Sequence, residues 1–186
     1  LHAMSRRQRQ MCIRDREFGI RYLVLRILKQ CEMANTYTQL YIHIVFAVKG
    51  RVNLIPKSHK EELHKYITGI VQKRRHKMLA IHCMPNHCHV FVGLQPYMAI
   101  SDLVRDIKAN SSHFINERRW VRGKFSWQEG YGAFSHSRSQ LDHVVKYILN
   151  QEEHHRTKTF KEEYQKMLEQ FEVEFDEKYL FEWYEE

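Results

Sequence analysis

Two histidines one residue apart, His87 and His89, are the part of this sequence best suited to chemistry. They sit in the stretch Ile81-His82-Cys83-Met84-Pro85-Asn86-His87-Cys88-His89-Val90-Phe91-Val92-Gly93, which reads as a strand, a two-residue turn at Pro85-Asn86 and a second strand. Side chains alternate along a strand, so His87, His89 and Phe91 share one face and Cys88, Val90 and Val92 the other. Two imidazoles side by side at the start of a strand can grip one divalent metal ion. A structural zinc site from His82, Cys83, His87 and Cys88 is awkward, because alternation sets Cys88 opposite His87. A second reactive group lies late in the chain. The spacing predicts a helix from about Gln140 to His155 whose buried stripe is Leu141, Val144, Val145, Ile148 and Leu149. On its polar flank His143, Tyr147, Gln151 and His154 fall in one band, and residues four apart on a helix face the same way. The Tyr147 hydroxyl is the candidate nucleophile.

The elements that must position these groups are legible as periodicities. From Gln39 to Val48 the chain alternates, with Leu40, Ile42, Ile44, Phe46 and Val48 on one face and Tyr41, His43, Val45 and Ala47 on the other. Ser58 and Glu61 have the spacing of a capping box. The helix after them carries Leu63, Tyr66, Ile67, Ile70 and Val71 at helical intervals and ends in Lys73-Arg74-Arg75-His76-Lys77. After the hairpin, Ser101 is expected to cap a second helix with Leu103, Val104, Ile107, Phe114 and Ile115 buried. Gly130 to Ser137 reads as a fourth strand, and about Phe160 to Gln170 as a charged helix. The expected fold is therefore α+β, a ferredoxin-like βαββαβ sheet with appended C-terminal helices, one of them carrying Tyr147. Both crossover helices should cover one sheet face, leaving the other, with Tyr41, His43, His87 and His89, open.

Length and charge narrow the classes. The 186 residues suffice for one domain with a real core, and the net charge is +8. That charge is unevenly spread: residues 1–160 are basic and residues 161–186 acidic, which points to a polyanionic partner such as nucleic acid. No apolar run approaches the roughly 18 residues of a membrane span. Cys12, Cys31, Cys83 and Cys88 show no framework spacing, as expected of a reducing cytoplasm. Residues 1–32 share no pattern with the rest and are expected to be a non-native or disordered extension, with Met33 a natural start. Residues 33–158 would form the catalytic domain, and residues 159–186 a charged helix and tail.

His87-Cys88-His89 is similar to the His-hydrophobic-His motif of the HUH endonucleases. With Tyr147-Ile148-Leu149-Asn150-Gln151 on a late helix, the chain resembles the single-tyrosine transposases of the insertion sequence 200/605 group. The resemblance runs from about Met33 to Tyr164 and includes Met84-Pro85-Asn86-His87, Phe125-Ser126-Trp127-Gln128 and Gly130-Tyr131-Gly132-Ala133-Phe134-Ser135. Cys88 departs from it, since a larger apolar residue is common there. The resemblance implies that His87, His89 and Gln151 hold Mg²⁺ or Mn²⁺ and that Tyr147 attacks a phosphate of single-stranded DNA, giving a 5′-phosphotyrosine. It also implies a hairpin-bearing single strand as substrate, a homodimer, and a bacterial or archaeal cytoplasm, at the nucleoid. Arg105, Lys108, Arg118, Arg119 and Lys124, with Tyr41 and His43 on the sheet, are the candidate DNA contacts. Related HUH enzymes acting on replication origins or repeated palindromes share this pattern. A non-catalytic sheet that binds RNA shares the fold, but the third strand lacks the aromatic run that such platforms use.

Overall fold

The structure, a computed structural model, describes residues 37–51, 54–176 and Leu180; the expectations for residues 1–32 and for the last residues of the tail lie outside them. Four strands form one sheet: β1 (Leu40–Ala47), β2 (Lys77–Cys83), β3 (His87–Leu94) and β4 (Gly132–His136). Their order is β2-β3-β1-β4, with every neighbouring pair antiparallel, as the ferredoxin-like arrangement requires. Helices α1 (Lys60–Lys73) and α2 (Ile100–Glu117) make the two crossovers.

Alternation decides what each face buries. Ile42, Ile44, Phe46 and Val48 join Cys88, Val90, Val92 and Leu94 on one side, packed against Leu63, Ile67, Val71, Leu103, Val104, Ile107 and Ile115 of α1 and α2. Trp127 and Phe125 close the end of this core, with the Trp127 indole N–H donating to Ser111 Oγ at 2.8 Å.

Two helix starts differ from expectation. Ser58 lies in a short 3-10 turn, Lys57–His59, and α1 begins after it with no side-chain cap. Leu103 N–H reaches the Ala99 carbonyl, so α2 begins one residue before Ser101 and leaves it in the first turn. The serine and threonine caps that do form are Ser137 with Gln140, and Thr159 with Glu162.

The hairpin is closed by Met84 N–H donating to the His87 carbonyl at 2.8 Å. That register sets Cys83 directly opposite Cys88, with Cα atoms 4.1 Å apart and the sulfurs joined in a disulfide. The two cysteines therefore do have a pairing geometry, created by the turn between them rather than by a framework spacing.

The face expected to be open is covered. The predicted third helix divides into a 3-10 turn (Arg138–Gln140), α3 (Leu141–Leu149) and the single turn α4 (Gln151–His154), with Asn150 outside helical geometry between them. Val144 and Ile148 of α3 pack on Ala80 and Phe91, while Leu149, expected in the buried stripe, is 56% exposed at the break. Helix α5 (Phe160–Gln170) lays Phe160, Tyr164, Met167 and Leu168 on Val45, Ala47 and Phe134. The sheet is thus sandwiched, because its second face is too apolar at Val45, Ala47, Phe91 and Phe134 to be left in water. Among the described residues no helix is long and apolar enough to cross a membrane.

Candidate active site

The site lies between the second sheet face and the helices that cover it. His87 and His89 stand on adjacent same-face positions of β3, opposite Ala47 and Val45 of β1. Each imidazole is held from behind at Nδ1: His87 by Asn86 Oδ1 at 2.6 Å, and His89 by His43 Nε2 at 3.0 Å. Phe160 stacks on the His87 ring at 4.0 Å, nearly parallel. Both Nε2 atoms are in consequence turned the same way, toward α5.

What they meet there is Glu163. Its Oε2 lies 4.0 Å from His87 Nε2 and 3.7 Å from His89 Nε2, and 3.1 Å from His155 Nε2. Its Oε1 accepts from the Gln151 amide at 2.8 Å and from the Tyr147 hydroxyl. The donor atoms of His87, His89, His155 and Glu163 all fall within 4.8 Å of one another, close enough for one ion. Gln151 is buried, and its carbonyl Oε1 has no hydrogen-bond partner among the described residues. Tyr147 and Gln151, four residues apart on the two helices either side of Asn150, reach the same carboxylate.

The charges follow from this packing. Burial, reinforced by the Glu163 charge, pushes the Tyr147 phenol well above its ordinary range. Burial alone would raise Glu163, but the imidazoles of His89 and His155, the Tyr147 hydroxyl and the His87 imidazole overcome it and hold the carboxyl well below the usual carboxylate range. Burial lowers His89 to about 4, and burial together with His89 lowers His43. His89 is accordingly neutral at physiological pH, the form that binds a metal.

The predicted site residues divide. His87, His89, Tyr147 and Gln151 come together. His43, expected to face DNA, is 2% exposed and orients His89 instead, because α3 and α5 close over the sheet. Tyr41 is half-buried at the margin, its hydroxyl accepting from Arg138 at 3.2 Å. Arg105, Lys108, Arg118, Arg119 and Lys124 belong to α2 and the loop after it, and α2 packs on the face opposite the site. Lys108 is also occupied: its ammonium donates to the carbonyls of Gln128 and Gly130, and burial lowers it to about 8. Arg118 pairs with Glu62 at 2.8 Å. The basic groups that do border Tyr147 are His136, His143, His154, Lys158 and Lys166, around a cavity between α3, β4 and α5. Glu163 and His155 escaped the sequence reading. The signal for Glu163 was an acid inside the apolar stripe Phe160, Tyr164, Met167, where a surface helix has none.

Relatives share this frame. A Deinococcus radiodurans protein, the ISDra2 transposase TnpA, is 24% identical over 120 residues, covering 61% of this chain and 84% of its own. A crystal structure of a Deinococcus radiodurans protein assigned as a transposase superposes with a TM-score of 0.51 at 21% identity, over 64% of this chain and 96% of that one. A REP-associated tyrosine transposase bound to a REP hairpin also superposes at 0.51, with 18% identity over 67% and 73% of the two chains. Residues 36–151, from just before β1 through Gln151, match the family described as "Transposase IS200 like", and that span takes in the sheet, the His pair and Tyr147: the chain belongs to the IS200-like transposase family.

Proposed function

We propose that this transposase cleaves and rejoins single-stranded DNA at insertion-element ends, with Tyr147 as the nucleophile and Mg²⁺ or Mn²⁺ held by His87, His89 and Gln151. The observation that carries the reading is convergence: the Tyr147 hydroxyl, the Gln151 side chain and both His Nε2 atoms close on one buried point within a single chain. The donors suit such an ion. Gln151 Oε1 is a buried acceptor without a hydrogen-bond partner, and His89 is held neutral with Nδ1 engaged, leaving Nε2 for a metal. When bound, the ion supplies positive charge that polarises the scissile phosphate.

Tyr147 Oη forms a bond to phosphorus as the bond to the 3′ oxygen breaks, leaving a 5′-phosphotyrosine and a 3′ hydroxyl. The phosphodiester energy stays in the tyrosyl bond, so a 3′ hydroxyl can attack it and rejoin strands without a nucleotide cofactor. The buried phenol is hard to ionise and keeps its proton, donating it in a hydrogen bond to Glu163, until substrate and cation enter. The substrate in this reading is a hairpin-bearing strand, like the REP hairpin to which the neighbouring structure is bound. Lys158 and Lys166 are suited to receive its phosphates beside Tyr147, with His143 and His136 at the same cavity, and Arg105, Arg119 and Lys124 could serve only a strand that wraps to the far face. A homodimer is what the family resemblance implies, although the site needs no second copy to be complete.

Tyr147→Phe tests the reading. A 5′-tyrosyl adduct stable to denaturing electrophoresis should form with the native chain, in Mg²⁺ and on a hairpin strand, and be absent from the variant while strand binding persists. An adduct that survives the substitution would move the nucleophile elsewhere.

A further inference from the structure

Glu163 lies outside the segment that matches the family, on the first turn of α5. The Thr159–Glu162 capping box fixes where that helix begins, and Phe160, Tyr164 and Met167 seat it on the sheet. Residue 163 shares their face, so a packing role would call for another apolar side chain. Instead the position holds a carboxylate that is 3% exposed.

A buried anion needs a cation, and the groups that pair with this one are His87, His89, His154 and His155, none of which carries a permanent charge. Glu163 Oε2 is buried, and the nitrogen nearest to it is His155 Nε2 at 3.1 Å, with His89 Nε2 at 3.7 Å and His87 Nε2 at 4.0 Å. The His pair has the converse deficit. Two imidazoles and an amide carbonyl bring no negative charge to a divalent ion, whereas Mg²⁺ and Mn²⁺ favour charged oxygen donors.

We propose that Glu163 is a ligand of the metal, its Oε2 completing the set of His87, His89 and Gln151, while its Oε1 holds the Tyr147 hydroxyl beside the ion. One carboxylate then ties the nucleophile to the metal, and α5 becomes part of the active site rather than a covering helix. The inference rests on the metal-assisted tyrosine reading above.

Calorimetric titration of MnCl₂ into the full, EDTA-stripped chain without DNA tests it. The native protein should bind Mn²⁺, His89→Ala should abolish that binding, and Glu163→Gln, which keeps the side chain's shape, should weaken it roughly 10–100-fold, the scale on which altered metal-site partners act. Glu163→Asp, whose carboxylate is drawn back by one methylene, should weaken it too, and decides the matter if the Gln variant does not fold. Equal or tighter Mn²⁺ binding in the Glu163 variants, with His89→Ala still inactive as a binder, would make Glu163 a mere occupant of the site and overturn the inference alone. Absence of His89-dependent binding in the native chain would overturn the metal reading together with it.

Discussion

At the scale of single residues, the site is built from side chains whose second contacts matter as much as their first. His43 illustrates it. A histidine on the polar side of a strand looks like a ligand contact, and sequence alone had no means of seeing that α3 and α5 would bury it. Once buried, its Nε2 is 3.0 Å from His89 Nδ1 and its ring packs 5.2 Å from the His89 ring. It therefore fixes the direction in which His89 presents Nε2. His43→Ala should lower Mn²⁺ affinity roughly 10–100-fold without removing any direct ligand, and His43→Asn, which can still hydrogen-bond, should recover part of the loss. The readout is a Mn²⁺ titration of the folded variants; unchanged affinity in His43→Ala would deny His43 this positioning role. By contrast His87, His89, Tyr147 and Gln151 were legible, because strand alternation and helical spacing alone place each pair on one side of its element. Glu163 was not, because its meaning depends on which surface α5 meets, and a sequence does not print that.

At the scale of elements, the βαββαβ order was readable from periods of two and 3.6, and the structure has the antiparallel order that follows from it. What periodicity missed was the second layer. Helix α5 is rich in charge and looks like a solvated helix, yet Phe160, Tyr164, Met167 and Leu168 at helical intervals make a stripe wide enough to dock. The close approach of α5 to β4 also explains a glycine. A Cβ at Gly132 would lie 2.8 Å from Tyr164 Oη and 2.9 Å from Phe134 Cε2, nearer than packed atoms sit. Tyr164 and Phe134 are both buried and have little room to yield. Gly132→Ala should therefore destabilise the fold by about 1–3 kcal/mol, the usual cost of overpacking a core. The loss should fall on the docking of α5: hydrogen exchange should quicken over residues 160–170 more than over β1 and β3, alongside a lower thermal midpoint. An unchanged midpoint with unchanged exchange in α5 would mean that the helix does not bear on Gly132.

At the scale of the whole molecule, the question is whose tyrosine serves whose histidines. Family resemblance implies a homodimer, in which Tyr147 of one copy could act at the His pair of the other. Within this chain, however, the two halves of the site already meet: the Tyr147 ring lies 6.2 Å from that of His89, and its hydroxyl reaches the carboxylate that His89 faces. To serve a second copy, α3 would have to withdraw Val144 and Ile148 from Ala80 and Phe91, re-exposing an apolar patch. The break at Asn150 would also have to carry Gln151 away from Glu163, leaving a buried charge with one hydrogen bond fewer. Both changes are unfavourable, the first through lost apolar burial and the second through an under-satisfied anion. Within one chain, these contacts therefore favour the closed site over an opened one. Mixing Tyr147→Phe with His87→Ala should then give no cleavage of a hairpin strand, since each chain carries one broken site and no hybrid forms. The mixture is informative once labelled subunits are seen to exchange or the protein is seen to stay monomeric. Recovery of the tyrosyl adduct in the mixed sample, up to the fraction expected for random hybrids, would establish that α3 crosses between copies and that the site is shared.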